Sequence, residues 1–128
     1  MKATVAAALT LCALVGCSSE RAAETFTVTG EAKIGGRVSV DGQSCGLLRK
    51  GAEVRIANGD GSLLGVGELD WPDYDGTPQD ASMTPVICTF PFSVDGIKAG
   101  EQFYDVTIAD NSAGTYSEDE IRQPLQVS

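Results

Sequence analysis

From Thr25 onward apolar and polar positions alternate, and the alternation is broken by turn residues rather than at helical intervals. Phe26 and Val28 are set between Thr25, Thr27 and Thr29, the signature of a strand with one buried face. Arg37-Val38-Ser39-Val40 repeats the pattern briefly before Asp41-Gly42. Glu53-Val54-Arg55-Ile56-Ala57 runs into Asn58-Gly59-Asp60-Gly61 and out through Leu63 to Leu69. That succession of turn dipeptides between alternating runs predicts a hairpin. Val86, Cys88, Phe90, Phe92 and Val94 share one face of a further strand, and Tyr104, Val106 and Ile108 do the same after Asp95-Gly96 and Ala99-Gly100. No window repeats with helical period over a helical length. The prediction for residues 25–128 is a single all-β domain, an antiparallel Ig-like or transthyretin-like β-sandwich of about seven strands. One short C-terminal helical turn is expected, because Ser117-Glu118-Asp119-Glu120 reads as a capping box and Pro124 stops its extension.

Composition then narrows the chemistry. The 128 residues carry 9 Lys+Arg against 18 Asp+Glu, a net charge of −9, so nucleic acid is excluded as a partner, since phosphate binding needs a basic face. There is no histidine. Its absence removes the Ser-His-Asp and Cys-His nucleophiles, the histidine general base and the histidine metal ligand, and the chain is expected not to be an enzyme. A hydrophobic content of 42% is enough for a core, so the acidity does not signal disorder.

The first residues read as a targeting segment. Met1-Lys2 supplies one positive charge and Ala3 to Val15 is apolar or small apart from its threonines. A permanent span needs about 20 apolar residues, so this run fits a secretory signal instead. Leu14-Val15-Gly16-Cys17 resembles the lipobox of bacterial lipoproteins, with Ser18-Ser19 following it. The resemblance implies cleavage between Gly16 and Cys17, removal of residues 1–16, a diacylglyceryl group on the Cys17 thiol and a further acyl chain (palmitate or similar) on its amine. The alternative is an ordinary secretory signal with an incidental cysteine. Several chains on one residue amount to permanent attachment, since each buried methylene contributes about 0.8 kcal/mol. Losing Lys2 with the signal brings the chain from −9 to −10, a charge that anionic headgroups repel. Residues 17–24 are the lipidated cysteine and a short tether whose reach is about 25 Å when extended.

Four cysteines then take three roles. Cys12 is discarded with the signal, Cys17 accepts lipid, and Cys45 and Cys88 are left as an even pair in an exported domain, which predicts a disulfide. A metal or redox pair is the alternative, and neither CxxC spacing nor histidine supports it.

Three motifs compete for a functional reading. Gly42-Gln43-Ser44-Cys45-Gly46 matches the G-x-S-x-G nucleophile elbow, but that elbow needs a strand-to-helix turn in a larger sheet and a histidine, so it reads as a turn. Glu68 to Asp80 holds five acids and no base and reads as a solvated acidic loop. Asp70, Asp73 and Asp75 are the calcium candidates within it, although no EF-hand register fits. Trp71-Pro72-Asp73-Tyr74 places the only tryptophan beside a tyrosine. Trp71 and Tyr74 are therefore the candidate partner-binding loop, the alternative being that they fold back over one end of the sandwich.

Phe26-Thr27-Val28-Thr29-Gly30, the lone Cys45 followed by Gly51 and the Val54/Ile56 hairpin, Cys88-Thr89-Phe90-Pro91-Phe92-Ser93-Val94, Phe103-Tyr104-Asp105-Val106 and Tyr116-Ser117 together resemble small exported lipoproteins of actinobacteria, including mycobacteria and their phages. The stretch Leu47-Leu48-Arg49-Lys50 and the Trp71 loop depart from that pattern. The resemblance implies a lipidated, disulfide-bonded β-domain on the outer face of the cell membrane, with no activity to carry over. The expectation is a non-catalytic binding or structural domain of the cell envelope, with no cofactor, whose partners are the membrane through Cys17 and an envelope protein. Two alternatives stand beside it. One is a phage-encoded lipoprotein that blocks entry of a second phage. The other is a carrier of a small apolar ligand, which the bulky inward set Phe26, Phe90, Phe92 and Tyr104 disfavours because it fills the core.

Overall fold

A computed structural model describes residues 24–128; Cys12, Gly16, Cys17 and the tether before Glu24 lie outside the described residues. The elements in chain order are β1 (Thr25–Gly36), β2 (Ser44–Cys45), β3 (Leu48–Arg49), β4 (Glu53–Asn58), β5 (Leu63–Leu69), α1 (Pro78–Met83), β6 (Val86–Lys98), β7 (Tyr104–Ile108), β8 (Asn111–Tyr116), α2 (Glu118–Ile121) and β9 (Leu125–Val127). Seven strands form one sheet in the order β8-β7-β4-β5-β6-β1-β9, and β2 and β3 make a separate two-stranded ribbon. The fold is all-β with a short C-terminal helix, as the alternation predicts.

The core follows from the pleat. Val28, Gly30 and Ala32 of β1, Val54 and Ile56 of β4, Cys88, Phe90, Phe92, Val94 and Ile97 of β6, and Tyr104, Val106 and Ile108 of β7 are all buried, each set spaced by two except at the bend after Val94. Phe26 is half-buried and meets the edge of the Tyr104 ring at 5.8 Å between centroids. The β4–β5 hairpin closes through Asn58 as expected, with the Asn58 side chain accepting from the Asp60 and Ser62 N–H groups. Ser117 and Glu120 form the capping box on α2, each side chain accepting the other residue's backbone N–H.

Four features depart from the sequence-based expectation. The sheet is mixed, because β9 pairs parallel to β1, Gly30 opposite Leu125 and Ala32 opposite Val127. Gly30 makes room for this: a Cβ there would lie 2.6 Å from the Phe92 ring and 2.8 Å from the Leu125 carbonyl. Second, α1 occupies six residues where no helix is expected. Thr77 caps it by accepting the Asp80 N–H, Pro78 opens it, and Ala81 alone is buried. Third, Arg37 to Val40 is not a strand; Val38 makes a single bridge to Cys45 and Val40 is 92% exposed. Fourth, the acidic stretch is only partly a loop. Leu69 completes β5, and Asp70 and Asp73 continue along β6, their N–H groups donating to Pro91 and Thr89 carbonyls at 2.8 Å.

The sheet curls so far that its two edge strands, β8 and β9, line one cleft. The strands give the domain two distinct ends. At one, the chain enters β1 beside Lys98, with Tyr104, the β4–β5 turn and α2 nearby. At the other lie Gly36 opposite Val86, the β2–β3 ribbon, α1 and the β7–β8 turn. β1 has twelve residues, so the ends stand about 40 Å apart along it.

Candidate functional site

The entry end is closed by interlocking polar contacts. Arg122 follows α2 and its guanidinium reaches back across the chain's entry, pairing with Glu24 at 3.0 Å and Glu118 at 3.1 Å while lying 4.2 Å from the Phe26 ring centroid. Glu118 also accepts the Gly100 N–H at 2.7 Å. That backbone bond, supported by Arg122, holds its carboxyl below the ordinary glutamate range. The Tyr104 hydroxyl donates to the Lys98 carbonyl at 2.9 Å and accepts the Glu101 N–H at 3.2 Å. Burial, with Glu118 beside it, pushes its pKa up. Each of these groups has a structural partner.

The far end is built differently. Gly46 stands at φ +58° at the turn of the β2–β3 ribbon, and Gly36 of β1 packs directly on it. A Cβ on Gly36 would lie 2.5 Å from the Gly46 Cα, so glycine is required for the ribbon to lie this close to β1. The disulfide Cys45–Cys88 then fixes the ribbon to β6, as the cysteine count predicts. With Cys45 turned into the core, the ribbon tip presents Leu47 to solvent, 90% exposed. Ile87, 66% exposed, and Met83 are displayed at the same end.

Between the free edges of the sheet lies a cleft of about 200 Å³. Ala32 and Ile34 of β1 and Val127 of β9 form one wall, Ile108 and Ala113 of the β7–β8 pair form the other, and Leu47 and Leu48 stand at its mouth. At the entry end, α2 joins the same two edge strands and buries Ile121, so the cleft opens toward the far end. Lys33, exposed between Ala32 and Ile34 on the opposite face of β1, stands at its margin, and no Asp or Glu lines it.

The residues singled out in the sequence do not form this cleft. Trp71 is 52% exposed on the outside of β6, with the Lys50 ammonium 5.1 Å from its ring centroid. Tyr74 turns inward against the core. The two aromatics divide the alternatives between them, Tyr74 covering the core and Trp71 remaining outside, and they make no joint surface. Asp70, Asp73 and Asp75 are exposed and stay apart, since pairing to β6 extends the chain through them. Asp70 accepts the Trp71 N–H at 2.8 Å instead. Among the described residues no group of three or more Asp, Glu, Cys or His is placed to hold a metal, and the calcium candidates are not gathered into a site. Of Gly42 to Gly46 only the ends are turn, Gly42 before the ribbon and Gly46 at its tip, with Ser44–Cys45 forming β2 between them where a turn throughout is expected. Among the described residues no helix is long and apolar enough to cross a membrane.

The cleft was missed in the sequence, though one signal pointed to it. Leu47 occupies the two-residue turn Gly46-Leu47 between β2 and β3, where a polar turn residue is the norm and a leucine stands exposed. Neither a protein-family model, nor a curated protein, nor a solved structure matches this chain.

Proposed function

We propose that the chain is an exported lipoprotein, held by diacylglyceryl and acyl groups on Cys17 at the outer face of the cell membrane, whose β-domain binds a component of the cell envelope without catalysis. The observation that carries this reading is the difference between the two ends. The chain enters through an end closed by Arg122, Glu118 and Tyr104, where Leu63 and Phe103 are about half exposed, whereas the more fully exposed Leu47, Ile87 and Met83 lie at the other, about 40 Å away along β1. A short tether would therefore hold the closed end at the bilayer and present the apolar end to the envelope. The buried disulfide supports an oxidising compartment. The absence of histidine, and the structural partners of the groups with a shifted pKa among the described residues (Asp41, Tyr104, Glu118, Glu120, Arg122), support a non-catalytic role.

Metabolic labelling with an alkyne analogue of palmitate tests the anchor. Wild-type protein should carry the label and sediment with membranes, and Cys17→Ala should do neither. Label retained by Cys17→Ala, or unlabelled wild-type protein in the soluble fraction, would overturn the reading.

A further inference from the structure

We infer that the cleft between β8 and β9 is a strand-acceptor site, which takes an extended segment of a partner polypeptide with alternating small apolar side chains and a carboxylate near Lys33. The inference rests on the binding role proposed above and names its site and partner class. Both walls end in sheet edges, because β8 and β9 are the terminal strands in the order of the sheet, and an edge strand carries a row of backbone donors and acceptors with no neighbour. Sheets ordinarily guard such edges with charge, proline or cover. The β8 segment Asn111-Ser112-Ala113-Gly114-Thr115-Tyr116 has neither a charged residue nor a proline, its one interruption being the bulge at Ala113, and its small side chains permit close approach of another backbone.

The interior of the cleft is apolar through Ala32, Ile34, Leu48, Ile108, Ala113 and Val127. An incoming strand would bury alternate side chains there and present the others to solvent, the pattern of strand addition. About 200 Å³ is less than the roughly 300–1,000 Å³ of small-molecule pockets. It matches one or two modest side chains flanked by main chain. The charge is also selective. Lys33 stands at the margin of the cleft and no Asp or Glu lines it, in a chain with 18 acids against 9 bases. Arg49 and Lys50 stand beyond Leu47, with Asp110 opposite them and Glu53 nearby. Among the described residues neither they nor Lys33 enter an ion pair, while Glu53 is paired with Arg55. The rim therefore favours an acidic flank over a basic one.

The test is selection of a displayed library of random linear ten-residue peptides on the full chain held in detergent micelles. Enriched peptides should alternate apolar residues and carry Asp or Glu. They should slow amide hydrogen exchange at Ser112 to Gly114, and bind at least tenfold more weakly to Ala113→Trp, which fills the cleft. Lys33→Gln, at an exposed position where folding is not at stake, should weaken the acidic peptides severalfold and leave neutral ones unchanged. The inference is overturned if nothing is enriched over the Ala113→Trp protein. Selected peptides that leave β8 exchange unmoved overturn it too, as does a cleft that takes up 1-anilinonaphthalene-8-sulfonate while selecting no peptide. The selection reads the cleft whether or not Cys17 carries lipid, so its failure leaves the anchor intact, and failure of the palmitate label leaves the cleft intact.

Discussion

Removing the disulfide should destabilise the whole domain and loosen one part of it more than the rest. Cys45 and Cys88 are separated by 43 positions and both are fully buried. For a loop of that length the chain-entropy term is about 4 kcal/mol at room temperature. Small domains have about 5–15 kcal/mol in all. At about 4 °C or more per kcal/mol for a domain of this size, Cys45→Ala with Cys88→Ala should lower Tm by roughly 15 °C or more. Local attachments decide where the loss is felt first. Without the disulfide, the ribbon is held by the Val38–Cys45 bridge, made of the Ser39 N–H to the Ser44 carbonyl at 2.9 Å and the Gly46 N–H to the Arg37 carbonyl at 3.3 Å, by the Gly51 N–H to the Leu69 carbonyl at 2.8 Å just beyond it, and by the packing of Gly36 on Gly46. β6 is paired along its length with β1. Thermal melts of the double variant, and of wild type with and without reductant, measure the global term. Hydrogen exchange at Ser44 and Gly46 against Phe90 and Phe92 measures the local one. A Tm within a few degrees of wild type would refute the entropy argument, and equal loss of protection in ribbon and β6 would refute the claim that the disulfide is the ribbon's main tie.

Three further outcomes are expected. Gly36→Ala should cost about 1–3 kcal/mol, since its Cβ would meet Gly46 backbone on a glycine that cannot retreat, whereas Gly59→Ala, with nothing within 4 Å, should stay within about 0.5 kcal/mol; urea unfolding of the pair checks both. The Glu118 carboxyl is held below its ordinary value near 4.5, first by the Gly100 N–H and then by Arg122, so its stabilisation is complete above that value and lost as pH falls through the folded pKa. Urea midpoints of Glu118→Gln should accordingly fall less steeply than wild type as pH drops below about 4.5. Because Asp70, Asp73 and Asp75 do not converge, melts in calcium and in chelator should coincide, and an upward shift in calcium would show that these carboxylates meet in solution.

What could be read from the sequence was whatever writes itself in alternating apolar residues. β1, the β4–β5 hairpin, β6 and β7 each place large side chains on one face, and the Ser117 capping box declares α2 from its own four residues. The remaining elements are too short or too small to leave a period. Leu125-Gln126-Val127 is three residues after a proline, and its partner is chosen by the space Gly30 leaves beside Phe92, which is a tertiary fact. α1 carries a local start signal in Thr77-Pro78-Gln79-Asp80, yet it ends within two turns and buries only Ala81, so no helical stripe exists to be seen. β8 consists of Asn, Ser, Ala, Gly, Thr and Tyr, none of them a strong strand signal except the last two. Trp71 and Tyr74 stand out by type, but the sequence does not show that pairing of Asp70 and Asp73 to β6 sends their side chains in different directions.

The weakest strand signals and the candidate cleft therefore coincide, and the coincidence has a physical cause. A strand recognisable from its own sequence has a full apolar face buried by neighbours already present. β8 and β9 are short or small, and each has a neighbour on one side only. At the entry end α2 supplies what they lack, burying Ile121 and tying Glu118 and Arg122 to the start of β1. At the far end nothing in the described chain does the same for Ala113 and Val127, which remain half-buried beside the cleft. The sheet is thus covered at the end where β1 begins and open at the cleft, which is where the proposed acceptor strand would supply the side chains that β8 and β9 lack.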